Sequence, residues 1–215
     1  NSDLLTANTE LNKLVGMAAH DIRNPVGAIR MMSELLLEDS NLTPETRNFI
    51  GMMKTAADNS LQILHDTLNI SQIQSGTIQL NITESSYIKF VEDCIAMNKY
   101  QADKKNQTLL FESPLSNLLV DFDKARLQQA LNNLLTNAIK YSYMNTTIII
   151  KVDYTGVDRA FIQTSVTDQG LGIEEKYHAV IFQPFTTTSN KPTNNESKSG
   201  LGLAIVKKIV ELHNG

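Results

Sequence analysis

Apolar residues over the first 75 positions recur at alternating spacings of three and four. Leu11, Val15, Ala18, Ile22, Val26, Ile29, Met32 and Leu36 form one heptad-like stripe, the pattern of a long amphipathic helix. A polar stretch from Glu38 to Pro44 interrupts it. Thr43, Pro44 and Glu45 then supply an N-cap, a first-turn proline and an early acid. A second stripe, Phe49, Met52, Met53, Ala56, Ser60, Ile63, Thr67, Ile70 and Ile73, runs to Ser75 and Gly76, where Gly76 predicts a C-terminal cap. Two such helices joined by a short loop form an antiparallel hairpin with one apolar face uncovered. A second copy would cover that face as a four-helix bundle, so the pattern predicts a homodimer. A coiled coil packed on the rest of its own chain is the alternative.

From Gly76 the pattern becomes mixed. Ile78, Leu80 and Ile82 alternate with polar residues and predict a strand. Tyr87 to about Lys104 predicts a helix capped by Ser85 or Ser86. Gln107 to Phe111 and Leu118 to Val120 are short strand candidates. Asp123 to Tyr141 predicts a helix with Asp123 at its start. Thr146 to Tyr154 and Phe161 to Thr167 predict a hairpin turning around Gly156 to Arg159. Thr186 to Ser199 is polar and predicts a mobile loop, and Leu201 to Leu212 predicts a closing helix. Helices with a mixed sheet predict a two-layer α/β sandwich after the hairpin. The expected domains are residues 1–75 and 76–215.

Composition narrows the chemistry. With 215 residues the chain suits one large domain or two small ones. Cys94 is the lone cysteine, which excludes a disulfide framework and suits a reducing compartment. A net charge of -4 and a pI near 5.6 give nothing that points to nucleic acid. No run of about 18 apolar residues is present, so a transmembrane helix is not expected within this stretch. No signal peptide is visible, and the first helix starts abruptly, which leads us to expect a sensor or linker ahead of it and a cytoplasmic location for this part.

Histidine chemistry comes next. His20 lies two residues from Ala18 and from Ile22, about 200° around a helix from each, so it projects away from the stripe. Asp21 follows directly, Asn24 shares the face of His20, and Pro25 comes next. An imidazole is a good nucleophile near neutral pH, and an adjacent carboxylate can hold its other nitrogen. A solvated surface histidine accounts for the same residues. His65-Asp66-x-x-Asn69 repeats the spacing on the second helix. Periodicity does not choose between the two.

On the helix predicted for Asp123 to Tyr141, residues Asn133, Asn137, Lys140 and Tyr141 share one face. Two amides, a cation and an aromatic suit a polyphosphate with a hard metal ion, because an amide oxygen can ligate Mg²⁺ and a lysine can meet phosphate. A solvated helix face is the alternative. After a predicted strand comes Asp168-Gln169-Gly170-Leu171-Gly172-Ile173, in which Asp168 could accept from an exocyclic amine. A plain turn fits equally. Ser199-Gly200-Leu201-Gly202-Leu203 then opens a helix, where backbone N–H groups face an anion.

Together these motifs resemble the sensor histidine kinases of two-component signalling over nearly the whole chain. The H box resembles His20 to Pro25, and the N box Asn133 to Tyr141. The first glycine box resembles Asp168 to Gly172, the phenylalanine box Phe182-Gln183-Pro184-Phe185, and the second glycine box Gly200 to Leu203. The resemblance implies a dimerisation and histidine-phosphotransfer hairpin. It also implies an ATP-binding domain with the fold of gyrase, the Hsp90 chaperone and mismatch-repair ATPases. It implies that His20 is the phosphoacceptor and not His65, that Asp21 is base or orienter, and that Asn24 positions a water for dephosphorylating a response-regulator receiver domain. Asn137 would ligate Mg²⁺ with Asn133 beside it, Lys140 would meet phosphate, and Tyr141 would pack near ATP. Asp168 would take the adenine amino group. Gly170 and Gly172 would flank one edge of the lid, and Gly200, Leu201, Gly202 and Leu203 would receive phosphates at the other.

Two departures stand out. Lys198 occupies a place usually held by glycine, and the chain stops at His213-Asn214-Gly215, where relatives continue into further strand, so an incomplete sheet is expected. Hydrolases and clamps of the same fold carry a glutamate at the place of Asn133, which weighs against hydrolysis. A non-catalytic scaffold is the remaining alternative.

Overall fold

The computed structural model describes residues 2–74, 79–157, 161–189, 193 and 199–215. It divides into two compact units, Asn1–Ile78 and Gln79–Gly215.

The first unit is a helical hairpin of α1 (Ser2–Leu37) and α2 (Pro44–Gln74). Helix α1 runs through Pro25 without interruption. Thr43 caps α2, its Oγ1 accepting from the N–H of Thr46 at 3.2 Å. Arg47 reaches back from α2 to close the loop, donating to the carbonyls of Leu37 (2.7 Å) and Asp39 (2.6 Å), which lie past the end of α1's own ladder. The predicted cap at Gly76 lies outside the described residues.

Much of the α1 stripe is left uncovered by α2, as the hairpin's one open apolar face requires. Ile22, Ile29, Met32 and Leu36 are 47%, 45%, 59% and 53% exposed, whereas Ala19, Ser33, Ile50 and Ala57 are buried. Apart from Ile50 these buried side chains are small, and several large ones stay in solvent. Met52 and Met53 of α2 are exposed as well. A lone hairpin therefore presents a broad apolar face.

The second unit runs β1 (Thr83–Ser86), α3 (Tyr87–Asp103), β2 (Thr108–Glu112), β3 (Leu119–Phe122), α4 (Lys124–Tyr141), β4 (Thr147–Thr155), β5 (Phe161–Thr167), α5 (Glu175–His178) and α6 (Gly202–Leu212). Strands β1 and β3 pair antiparallel. A second sheet has the order β2-β4-β5, with β2 parallel and β5 antiparallel to β4. In β4, Ile148, Ile150 and Val152 point into the core at period two. They meet Phe90, Val91 and Cys94 of α3 and Leu131, Leu135, Ala138 and Ile139 of α4. Burial pushes the Cys94 thiol up to about 11, so it behaves as a small apolar residue. Helix α6 buries Ala204, Ile205, Val206 and Ile209. Among the described residues β2 and β5 are the edge strands of this sheet.

Two strand expectations shift. Residues 79–82 are not strand, and Ile78 lies outside the described residues. The N–H of Asn81 donates instead to Oδ2 of Asp123 at 2.8 Å, and pairing begins only at Thr83. The predicted strand at Leu118 to Val120 moves to Leu119–Phe122, because the Leu118 carbonyl accepts from the N–H of Tyr87 before the ladder starts. The short α5 has no counterpart among the sequence expectations.

Candidate phosphoacceptor and nucleotide sites

On α1, His20 and Asp21 stand out in solvent, with side chains 66% and 81% exposed. The Nδ1 of His20 lies 3.3 Å from Oδ1 of Asp21, where a carboxylate can only accept. This leaves Nε2 pointing away from its orienting partner. Asn24, one turn on, is exposed too. The second histidine differs. His65 Nδ1 lies 3.8 Å from Asp66 Oδ1, beyond hydrogen-bonding range. That same oxygen accepts from Nε2 of Gln62 at 2.8 Å, and Asp66 is buried in the hairpin. Equal spacing in the sequence thus becomes unequal geometry.

In the α/β unit the nucleotide motifs converge on the C-terminal half of α4. Asp123 fixes where this helix starts. Burial pushes its carboxyl up, but the N–H groups of Arg126 and Asn81 outweigh that, and it stays below the usual carboxylate range. Asn133, Asn137, Lys140 and Tyr141 are all half-buried along one side of α4. Asn133 donates through Nδ2 to the Gly202 carbonyl at 3.2 Å, which ties α4 to the start of α6. The Lys140 ammonium lies 5.5 Å from the centre of the Tyr141 ring.

The first glycine motif abuts the end of α4. Gly170 forms an isolated bridge with Ser142, and a Cβ there would lie 2.6 Å from the Tyr141 carbonyl oxygen. Only glycine fits. Oδ1 of Asp168 accepts from the Gly170 N–H at 2.8 Å, so the carboxylate is fixed across the turn. Gly172 adopts φ +67, the left-handed region that glycine tolerates. Gly200 also has φ +67, and a Cβ there would lie 2.9 Å from the backbone of Phe185 and of Thr186. The phenylalanine and second glycine motifs are therefore neighbours. Phe185 itself is left-handed and exposed.

Leu201 fits the expectation of backbone N–H groups facing a ligand at this helix start, as follows from its burial. Its side chain is fully buried, so only its backbone can face a ligand. Leu203 is half-buried, and Lys198 lies outside the described residues. Among the described residues no three His, Cys, Asp or Glu side chains converge on a metal site. A divalent ion at α4 would bring phosphate oxygens as most of its ligands, with the Asn137 amide oxygen as the protein's contribution, as Mg²⁺ commonly does.

Sequence reasoning missed several supporting residues. Lys105 and Gln107 donate to the carbonyls at the end of α4. His213, at the end of α6, accepts through Nε2 from the N–H of Asp123 at 3.2 Å. Each partner is distant in sequence, and a polar residue at a helix end reads as solvated.

Comparison with known proteins agrees with this geometry. The model for the His Kinase A (phospho-acceptor) domain matches residues 10–76. The model for the Histidine kinase-, DNA gyrase B-, and HSP90-like ATPase matches residues 122–215. The circadian input-output histidine kinase CikA of Synechococcus elongatus is 31% identical over 213 residues, covering 97% of this chain and 28% of that protein. The sensor-like histidine kinase SenX3 of Mycobacterium tuberculosis is 28% identical over 214 residues, covering 100% of this chain and 51% of that protein. The chain thus spans about half or less of these two relatives. Full-length ShkA in complex with AMPPNP shares the fold, with a TM-score of 0.72 at 24% identity over 93% of this chain and 40% of that one. The catalytic domain of histidine kinase ThkA gives a TM-score of 0.53 at 30% identity, over 61% of this chain and 81% of its own. No helix among the described residues is long and apolar enough to cross a membrane. With a phospho-acceptor hairpin and an ATPase-type α/β domain in succession, the chain belongs to the histidine kinases.

Proposed function

We propose that this chain is the autokinase core of a two-component signalling protein, working in the ATP-rich cytoplasm. Residues 1–75 form its dimerisation and phosphotransfer hairpin, and residues 76–215 its catalytic domain. The observation that carries this reading is the His20-Asp21 pair, exposed and hydrogen-bonded on the hairpin, followed in the chain by an α/β domain that holds the other four motifs in order.

In this reading Asp21 holds Nδ1–H of His20, and the lone pair on Nε2 attacks the γ-phosphorus of ATP. The bond from that phosphorus to the β,γ-bridging oxygen breaks, and ADP leaves with the electron pair. Asp21 then stabilises the ring's positive charge. The phosphoryl group passes from Nε2 to an aspartate carboxylate of a response-regulator receiver domain, which restores the imidazole. Asn24 orients a water for the reverse duty, dephosphorylating that regulator. On the catalytic domain, Asp168 accepts from the adenine amino group, Tyr141 packs beside the base, Lys140 meets phosphate, and the backbone of Gly200 to Leu203 receives phosphates at the start of α6. Gly170 and Gly172 shape the opposite edge. Mg²⁺, when bound through Asn137, neutralises phosphate charge. Asn133 spends its amide on Gly202, which suits a positioning role and not that of a base toward water. The exposed stripe of α1 seats a second copy, making a homodimer.

The test is incubation of the chain with labelled Mg·ATP, followed by addition of a receiver domain. Expected is a protein label that is alkali-stable and acid-labile, as phosphohistidine is, and that moves to the receiver. Rapid phosphate release with no protein label would favour the hydrolase. Failure to bind a nucleotide analogue would favour the scaffold.

A further inference from the structure

The C-terminal half of α4 is an unlikely place for a polyphosphate on dipole grounds alone. A helix C-terminus carries partial negative charge on its unsatisfied carbonyls, and phosphates favour the opposite end. Yet Asn137, Lys140 and Tyr141 occupy the last turns before Ser142. Something must offset that charge.

Lys105 does so from behind. It lies just past α3, and only 6% of it is exposed. Its Nζ donates to the carbonyls of Ile139 at 3.0 Å and Lys140 at 3.1 Å, both in the last turn of α4. It also donates to Oγ1 of Thr193 at 2.8 Å. Thr193 reaches the same helix end, its N–H donating to the Lys140 carbonyl at 3.2 Å. Gln107 covers the neighbouring carbonyls of Ile139, Ser142 and Tyr143 with a neutral amide. The same helix end is thus capped by one charged donor, Lys105, and by the neutral donors of Thr193 and Gln107.

We infer that Lys105 is an electrostatic positioning residue for the nucleotide. Its buried ammonium cancels the negative end of α4 so that a polyphosphate can lie along Asn137, Lys140 and Tyr141. The inference rests on the reading of that face as the nucleotide site. Lys105 does not touch the ligand; it acts through the helix end. A burial-weakened screening by water makes one charge count for more here than at the surface.

The test is calorimetric titration of the chain with three probes in constant Mg²⁺: a non-hydrolysable ATP analogue, ADP and adenosine. In Lys105→Gln, which keeps N–H donors and removes the charge, affinity for the triphosphate is expected to fall by about tenfold, for ADP by about threefold, and for adenosine by less than about twofold. Lys105→Arg keeps the charge and is expected to keep the wild-type ratio between the three. Gln107→Met removes neutral donors from the same helix end, so any loss it causes is expected to be shared equally. A loss in Lys105→Gln that is equal for all three probes, or no loss, overturns the inference. Should the Gln variant fail to fold by circular dichroism, the Arg variant decides: a changed ratio in a folded protein contradicts it. If the wild-type chain binds none of the three probes, the nucleotide reading itself fails, and that outcome is distinct.

Discussion

The hairpin and the α/β unit solve the burial problem differently. The α/β unit encloses large apolar side chains within one chain. Phe90, Leu135, Ile148 and Ile150 are inaccessible or nearly so, and Tyr87, Phe90 and Phe122 meet tilted or edge to face with ring centres 5.1–5.5 Å apart. The hairpin instead buries mainly small residues, with Ile50 and Asp66, and leaves Ile22, Ile29, Met32, Leu36, Met52 and Met53 outside. One unit encloses its own core, and the other leaves an apolar face open. Such a division lets a catalytic domain stay folded while the hairpin takes its stability from association.

The largest effect should come from attacking the open face. In Met32→Glu/Leu36→Glu, four charges enter the core of a two-fold bundle. We expect the dimer dissociation constant to rise by at least about a hundredfold, with melting of the α/β unit unchanged. Sedimentation equilibrium and calorimetric melting read both. A variant that stays dimeric would break the comparison. In the wild type, dilution should lower the hairpin's melting temperature alone.

Next in size is Gly170→Ala. A Cβ 2.6 Å from the Tyr141 carbonyl oxygen must displace backbone. We expect the α/β unit to lose about 1–3 kcal/mol while the hairpin's association is untouched. Denaturant titration checks the loss, and a variant as stable as wild type would show that the Ser142–Gly170 contact is not tight.

A smaller effect is pH-dependent. The Asp123 carboxyl sits below its ordinary value when folded, so its contribution is present above the unfolded carboxylate range and is lost as pH falls through the folded value. Acid melting of the α/β unit should therefore be steeper in wild type than in Asp123→Asn, read by circular dichroism between neutral and acidic pH. Identical curves would remove Asp123 from the account.

Much of this architecture was legible because it is written locally. Heptad spacing gave both helices of the hairpin, Thr43 and Asp123 marked two helix starts, and the glycines at 170, 172, 200 and 202 marked the turns around α4 and α6. What periodicity could not give was direction. The stripe on α1 marked an apolar face without saying which of its side chains α2 would cover: Val26 is half-buried, whereas Ile22, Ile29, Met32 and Leu36 stay exposed. The long-range capping of α4 by Lys105 and the contact of His213 with Asp123 were not legible either. Their partners are tens of residues away, and neither lysine nor histidine carries a pattern that announces a carbonyl or an N–H across the fold. The two histidine motifs show the limit most clearly. Identical spacing gave His20 a bonded carboxylate and gave His65 one whose oxygen is held by Gln62.

That last difference is also the most direct test of the account. The chain is labelled with Mg·ATP as wild type, His20→Gln and His65→Gln, and acid-labile protein label is counted. Label that vanishes in His20→Gln and persists in His65→Gln is the predicted result. Label that persists in His20→Gln and vanishes in His65→Gln would contradict it.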